Sequence, residues 1–189
     1  KVIFPRFILF MTIPLFLIAA FLLRHITEFM YQKMKILFPI LILILIFPLY
    51  QSILLIVNPV EADIPRADRN QLFDDWPSGY GVKEVISFLE EKAQSGKVAI
   101  GTEGTFGLFP AVFEIYLGTN KNVEIKGYWP VSSVPADLLV LAKTVPTYLV
   151  FKEKQSIPSD WPLTLEAKYR RGKGDTYLLF YQVDPTRAK

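Results

Sequence analysis

Apolar residues fill two long stretches at the start of the chain, residues 2–23 (VIFPRFILFMTIPLFLIAAFLL) and residues 36–57 (ILFPILILILIFPLYQSILLIV). A helix needs about 20 consecutive apolar residues to cross a hydrocarbon layer about 30 Å thick. Each stretch supplies that length, so the pattern predicts two transmembrane α-helices that form a hairpin over residues 1–57. Beyond residue 57 the apolar runs are short and broken by Pro and Gly. No later run is long enough to span.

The pattern then changes period. Residues 58–70 (NPVEADIPRADRN) are polar and contain two prolines, which reads as a linker. In residues 82–94, Val82, Val85, Ile86, Leu89 and Ala93 recur on one helical face. Ser95-Gly96 ends that helix, as glycine does just past a helix terminus. Short apolar strands follow at 97–100, 123–128 and 147–151. They alternate with helices at 108–117 and 135–143, and Pro110 and Pro135 sit in the opening turns. The last two apolar runs, 163–169 and 176–183, flank RRGKGD, whose Gly172 and Gly174 predict a hairpin turn. Alternating strands and helices give parallel pairing with right-handed crossovers. The expected architecture is therefore two transmembrane helices followed by an α/β domain over residues 71–189. Its sheet is mostly parallel and Rossmann-like, with a C-terminal antiparallel hairpin at one edge.

Charge sorts the same two regions. The chain carries a formal charge of +3. Up to residue 57 there are five basic residues (Lys1, Arg6, Arg24, Lys33, Lys35) and one acid (Glu28), a balance of +4. The rest is balanced at −1, with 16 basic and 17 acidic residues. The water-facing domain thus has no electrostatic footprint for a phosphate backbone, which excludes nucleic acid as a partner. The basic residues report topology instead. Arg24, Lys33 and Lys35 lie in the short connection between the spans, and such loops stay cytoplasmic. Both chain ends then face outward, and the α/β domain is extracytoplasmic on the plasma membrane.

The chain starts at Lys1 and the first apolar run begins at once. That run is too long for a signal peptide and a second span follows it. The sequence reads as the C-terminal piece of a larger polytopic protein; a complete two-span protein is the other reading. Cysteine is absent, so disulfides and thiol chemistry are excluded. His25 is the single histidine and lies at the inner end of the first span, as an interfacial polar residue. No metal site of the His/Cys kind and no cofactor is expected in this stretch.

Ligands of open α/β sheets bind beyond the carboxyl ends of the strands. Three sequence features converge there: the loop GTEGTFG after the first strand, Tyr128-Trp129-Pro130 after the second, and Asp74-Asp75-Trp76-Pro77 ahead of the first domain helix. Acids that accept from hydroxyls, beside aromatic faces, suit a sugar. Asp75, Trp76, Glu103, Thr105 and Trp129 are the candidate ligand-binding residues, with Glu103 read as a loop carboxylate. The opposing reading makes the tryptophans packing residues and the glycines turns. All three tryptophans precede proline, which holds each extended at a rigid corner. The turn Arg170-Arg171-Gly172-Lys173 reads as a solvated hairpin tip, with contact to lipid headgroups as its alternative.

Two segments carry a resemblance. Phe4-Pro5-Arg6-Phe7, followed by an apolar run, looks like the opening of a late membrane helix in integral-membrane glycosyltransferases of the GT-C superfamily, with Phe7 where Tyr is usual. DDWPSGYGVKEVISFLEEKAQSGKVAIGTEGTFGLFPAVFEIYL is similar to the extracytoplasmic α/β domain of some members, in the bacterial protein O-mannosyltransferase and aminoarabinose-transferase branch. The resemblance implies transfer of a sugar from a polyprenyl-phosphate donor to a hydroxyl of a glycan or protein acceptor, at the outer face of the bilayer. It also implies that the catalytic carboxylate lies in an earlier loop, so no catalytic residue is assigned here. Arg6 is the position carried over, as a contact to the donor phosphate; snorkelling to headgroups is the alternative. The rival class is a membrane-anchored, non-enzymatic binding or sensor module.

The orientation is open to direct test. In a chain without cysteine, Ser156→Cys introduces a single thiol. On intact cells it is expected to react with a membrane-impermeant reagent, and protection there would reverse the assigned topology.

Overall fold

The computed structural model describes residues 9–29 and 34–187. The chain divides into two units, residues 1–69 and 70–189.

The first unit contains α1 (Thr12–Phe29) and α2 (Met34–Val57). Leu9–Glu28 and Phe38–Val57 are both long and apolar enough to cross a membrane. The start of the first expected span, with Arg6 and the Phe4-Pro5-Arg6-Phe7 motif, lies outside the described residues. Helix α1 runs beyond the expected end of its span, through Arg24, His25 and Glu28. The Arg24 Nε donates to Glu28 Oε1 at 2.8 Å across one helical turn, a spacing that supports helix at its polar end. Helix α2 contains Pro39 and Pro48. A proline cannot donate to the carbonyl four residues back.

The segment predicted as a linker has structure of its own. The Asp63 N–H donates to Gln51 Oε1 at 2.8 Å, which folds the chain back on the end of α2. The Arg69 guanidinium donates from both terminal nitrogens to the Val60 carbonyl. Arg69 ends the short helix α3 (Arg66–Arg69). Side chains satisfying backbone groups are what the polar composition of this stretch permits.

The second unit begins with a π-type turn (Asn70–Asp74). It continues as α4 (Val82–Ser95), β1 (Val98–Glu103), α5 (Leu108–Leu117), β2 (Val123–Tyr128), α6 (Ala136–Leu141), β3 (Thr147–Phe151), β4 (Leu163–Arg170) and β5 (Tyr177–Val183). The five strands form one mixed sheet in the order β2-β1-β3-β5-β4. β1 pairs in parallel with β2 and with β3. β5 pairs antiparallel with β3 and β4, so the C-terminal hairpin closes one edge as expected.

Period-two alternation places a core on each face of this sheet. Val98 and Ile100, Tyr148 and Val150, and Leu178 and Phe180 pack on one side with Val85 and Leu89 of α4 and Phe113 and Leu117 of α5. Leu149 and Phe151, with Leu179 and Val183, pack on the other side with Leu138 of α6. β1 and β3 are buried along their whole length, as central strands covered on both faces must be. Strand β1 runs to Glu103, three residues past its predicted end, so Gly101 and Thr102 belong to the strand and not to a loop. Glycine in a strand marks close approach of a neighbour. A Cβ on Gly101 would collide with Leu138 Cδ1 and come within 3.0 Å of Leu149 Cδ1.

Gly101 therefore sets how closely α6 sits on the sheet. Gly101→Ala is expected to destabilise the second unit by about 1–3 kcal/mol through overpacking. Leu138→Ala alone is expected to cost about 2–5 kcal/mol. Because they share one space, the double variant should lose clearly less than the two single losses combined. Urea unfolding followed by near-UV circular dichroism measures all three, and strict additivity would refute the shared contact.

Candidate functional site

The three parallel strands end side by side, at Glu103, Tyr128 and Phe151. Glu103 is the last residue of β1 and only 5 % exposed. Its carboxylate accepts from three successive backbone amides of the segment leaving β3: Lys152 N–H at 2.8 Å, Glu153 N–H at 2.7 Å and Lys154 N–H at 3.0 Å. Consecutive amides converging on an anion form a nest. Glu103 is thus not the loop carboxylate that the sequence suggests. Its oxygens are engaged by the fold, and it shapes the segment that follows β3.

The cationic side of this edge is also internal. Arg171 is fully buried. Burial pushes its guanidinium below its ordinary range, while the charges of Asp75 and Glu103 act in the opposite direction. Nη1 reaches Thr176 Oγ1 at 3.5 Å, and Nε has no hydrogen-bond partner among the described residues. The turn between β4 and β5 is thus only in part the solvated tip expected from Arg170-Arg171-Gly172-Lys173: Arg170 and Lys173 are exposed, and Arg171 is not. It docks on Asp74: the Lys173 N–H donates to Asp74 Oδ1 and the Thr176 hydroxyl to the Asp74 carbonyl, each at 2.9 Å. Gly172 and Gly174 lie so close to Asp74 that a side chain at either would collide with it.

Beyond this framework lies a pocket of about 160 Å³, lined by Gly104, Thr105, Phe106, Trp129, Lys152 and Glu153. Gly104 has φ +130°, a conformation that side-chain-bearing residues rarely adopt. A Cβ there would sit 3.0 Å from the Phe109 carbonyl and 3.3 Å from Lys152 Nζ. Lys152 is buried, at 5 % exposure. Its ammonium lies 4.6 Å from the centre of the Trp76 ring and 3.7 Å from Glu153 Oε1. Phe106 and Trp129 are 90 % and 56 % exposed; the Trp129-Pro130 bond is cis.

Thr105 and Trp129 thus share the pocket, as the strand-end argument requires. Glu103 supports it from beneath. Trp76 reaches its lysine, and Asp75 acts locally, accepting the Trp76 N–H at 2.7 Å and adding its charge to the field at Arg171. The sequence reading missed Lys152, Glu153 and Phe106. The signal was present in TYLVFKEK, where charge appears abruptly at the carboxyl end of the third parallel strand.

Two roomier depressions lie elsewhere in this unit. One, of about 440 Å³, is at the opposite end of the strands, lined by Thr147, Thr164 and Gln182 among others. The other, of about 490 Å³, is an apolar groove between α4 and α5, with Ile86, Val112 and Tyr116. The first has no aromatic residue in its lining; the second has Lys83, Glu90 and Tyr116 but lies on a helical face, away from the carboxyl ends of the parallel strands. Among the described residues no group of three or more His, Cys, Asp or Glu is placed to hold a metal. On the edge strand β2, the Tyr128 hydroxyl donates to Asp137 Oδ2 at 2.7 Å, and Lys126 Nζ lies 3.4 Å from the same oxygen. Burial pushes the Asp137 carboxyl up, but hydrogen bonds from Tyr128 and Lys126 outweigh it and hold the carboxyl below its ordinary range. No family model, curated protein or solved structure matches the chain.

Two outcomes follow from these contacts. Glu103→Ala leaves three inward amides without their acceptor and is expected to cost at least about 2 kcal/mol, read by urea denaturation; unchanged stability would show that the nest is not needed. The lowered Asp137 carboxyl stabilises the fold above its unfolded-state pKa, and that stability is lost as pH falls through its folded-state value. Tyr128→Phe should move the Asp137 titration upward by NMR, and no movement would exclude the Tyr128 contact as a cause.

Proposed function

We propose that this chain is part of an integral-membrane glycosyltransferase that moves a sugar from a polyprenyl-phosphate donor to an acceptor hydroxyl. In this reading the α/β domain is Rossmann-like, lies on the extracytoplasmic side of the plasma membrane, and recognises the glycan or protein acceptor. Arg6 contacts the donor phosphate, and the transfer itself is performed by groups outside this stretch.

The observation that supports the reading best is the strand-end pocket. Exposed aromatic faces at Trp129 and Phe106 stand beside a donor, Lys152, and an acceptor, Glu153. Apolar rings cover the C–H faces of a sugar, while a few placed polar groups fix its hydroxyls. Two helices of membrane-spanning length precede the domain, as a transferase using a lipid-linked donor requires. The same pocket also fits a membrane-anchored binding module without catalysis, so activity and binding are tested separately.

The chain reconstituted in lipid nanodiscs is expected to bind acceptor-type oligosaccharides, followed by tryptophan fluorescence. It is expected to show no turnover of polyprenyl-phosphate sugars by itself. Turnover by this chain would place the chemistry within these residues. An absence of oligosaccharide binding would remove the recognition role.

A further inference from the structure

The pocket is small and its charges cancel. Its volume of about 160 Å³ is roughly a third of that of either other depression. That is room for one ring, not for a chain of sugars. The two ionisable groups lining it are Lys152 and Glu153, a cation and an anion. The pair gives no net preference for a charged ligand of either sign.

The geometry of the pair adds a second constraint. Lys152 Nζ and Glu153 Oε1 are 3.7 Å apart, beyond the range of a direct N–H···O bond. The ammonium has no other ion pair among the described residues, and its remaining contact is the Trp76 face. It therefore keeps donors for a ligand, and Glu153 keeps acceptor sites. Lys152 is held in place by its burial and by the ring beneath it, so little conformational freedom is lost when it binds. Gly104 leaves open the space beside the ammonium that a Cβ would narrow. Trp129, at the rim, offers an apolar plate.

Resting on the acceptor-recognition reading above, we infer that this pocket takes a single neutral sugar ring. The ring stacks on Trp129, and two neighbouring hydroxyls sit on the Lys152–Glu153 pair. One hydroxyl accepts from the ammonium and the other donates to the carboxylate. Recognition is then of one terminal residue of a glycan. A uronic acid or sugar phosphate is disfavoured, because its charge must lose hydration where the attraction of Lys152 is offset by Glu153.

The test uses the whole chain in nanodiscs, with tryptophan fluorescence or calorimetry as the readout. The probes are a neutral hexose panel, glucuronic acid, glucose 6-phosphate and a neutral oligosaccharide. At least one neutral hexose is expected to bind, and more tightly than either anionic sugar. Glu153→Gln and Lys152→Met should each weaken it about tenfold, the effect of losing one hydrogen bond to a charged group. Glu153 is at the surface, so its substitution leaves the fold intact, and thermal unfolding checks Lys152→Met. Tighter binding of glucuronic acid or glucose 6-phosphate would overturn the inference in favour of an anion site. Oligosaccharide binding that both substitutions leave unchanged would refute this pocket while keeping acceptor recognition by the domain. An absence of binding by every sugar would refute both.

Discussion

Three backbone amides aimed at one carboxylate hold the strand-end edge of the α/β domain together. Glu103 ends a central strand, and the segment it gathers begins at the end of the adjacent strand β3. A buried carboxylate is costly unless its oxygens are satisfied. Backbone N–H groups satisfy it with charge-assisted bonds, which are stronger than neutral ones. The result fixes Lys152 and Glu153 in direction as well as position, because their own amides are the donors. The pocket wall is therefore an extension of the sheet.

The same region shows how a fold manages internal charge. Arg171 is fully buried, with Asp75 and Glu103 contributing opposing charge. Lys152 is handled differently, buried with its ammonium over an indole face. A cation over an aromatic ring gains from the ring quadrupole while keeping its hydrogens for other partners. One cation is committed to the interior and the other is presented to the pocket.

The helices and strands were legible because hydrophobic period follows secondary structure closely. Val82, Val85, Ile86, Leu89 and Ala93 mark the buried face of α4, and all five are buried. The C-terminal hairpin was legible from Gly172 and Gly174. Side-chain roles at the strand ends were not. Nothing local distinguishes Glu103 in a turn from Glu103 in a strand, because the decision rests on amides about 50 residues away. Arg171 looked like a solvated turn residue for the same reason: its burial depends on Asp74 and its neighbours, about a hundred positions earlier. The linker carries local order that composition does not encode, since Gln51 and Val60 meet Asp63 and Arg69 through side-chain hydrogen bonds.

Gly104 divides the pocket into parts with different freedom to change. Its backbone conformation and its close neighbours admit no side chain without displacement. The floor of the pocket is consequently closed to variation. Thr105, Phe106, Trp129 and Glu153 are exposed and are not part of either hydrophobic core. Substitution at those four positions leaves the packing beneath untouched. If the pocket holds a ligand as proposed, selection would find specificity easy to retune at the rim and the depth of the pocket nearly impossible to alter. Descendants of this domain would diverge in what they hold while keeping the size of what they can hold.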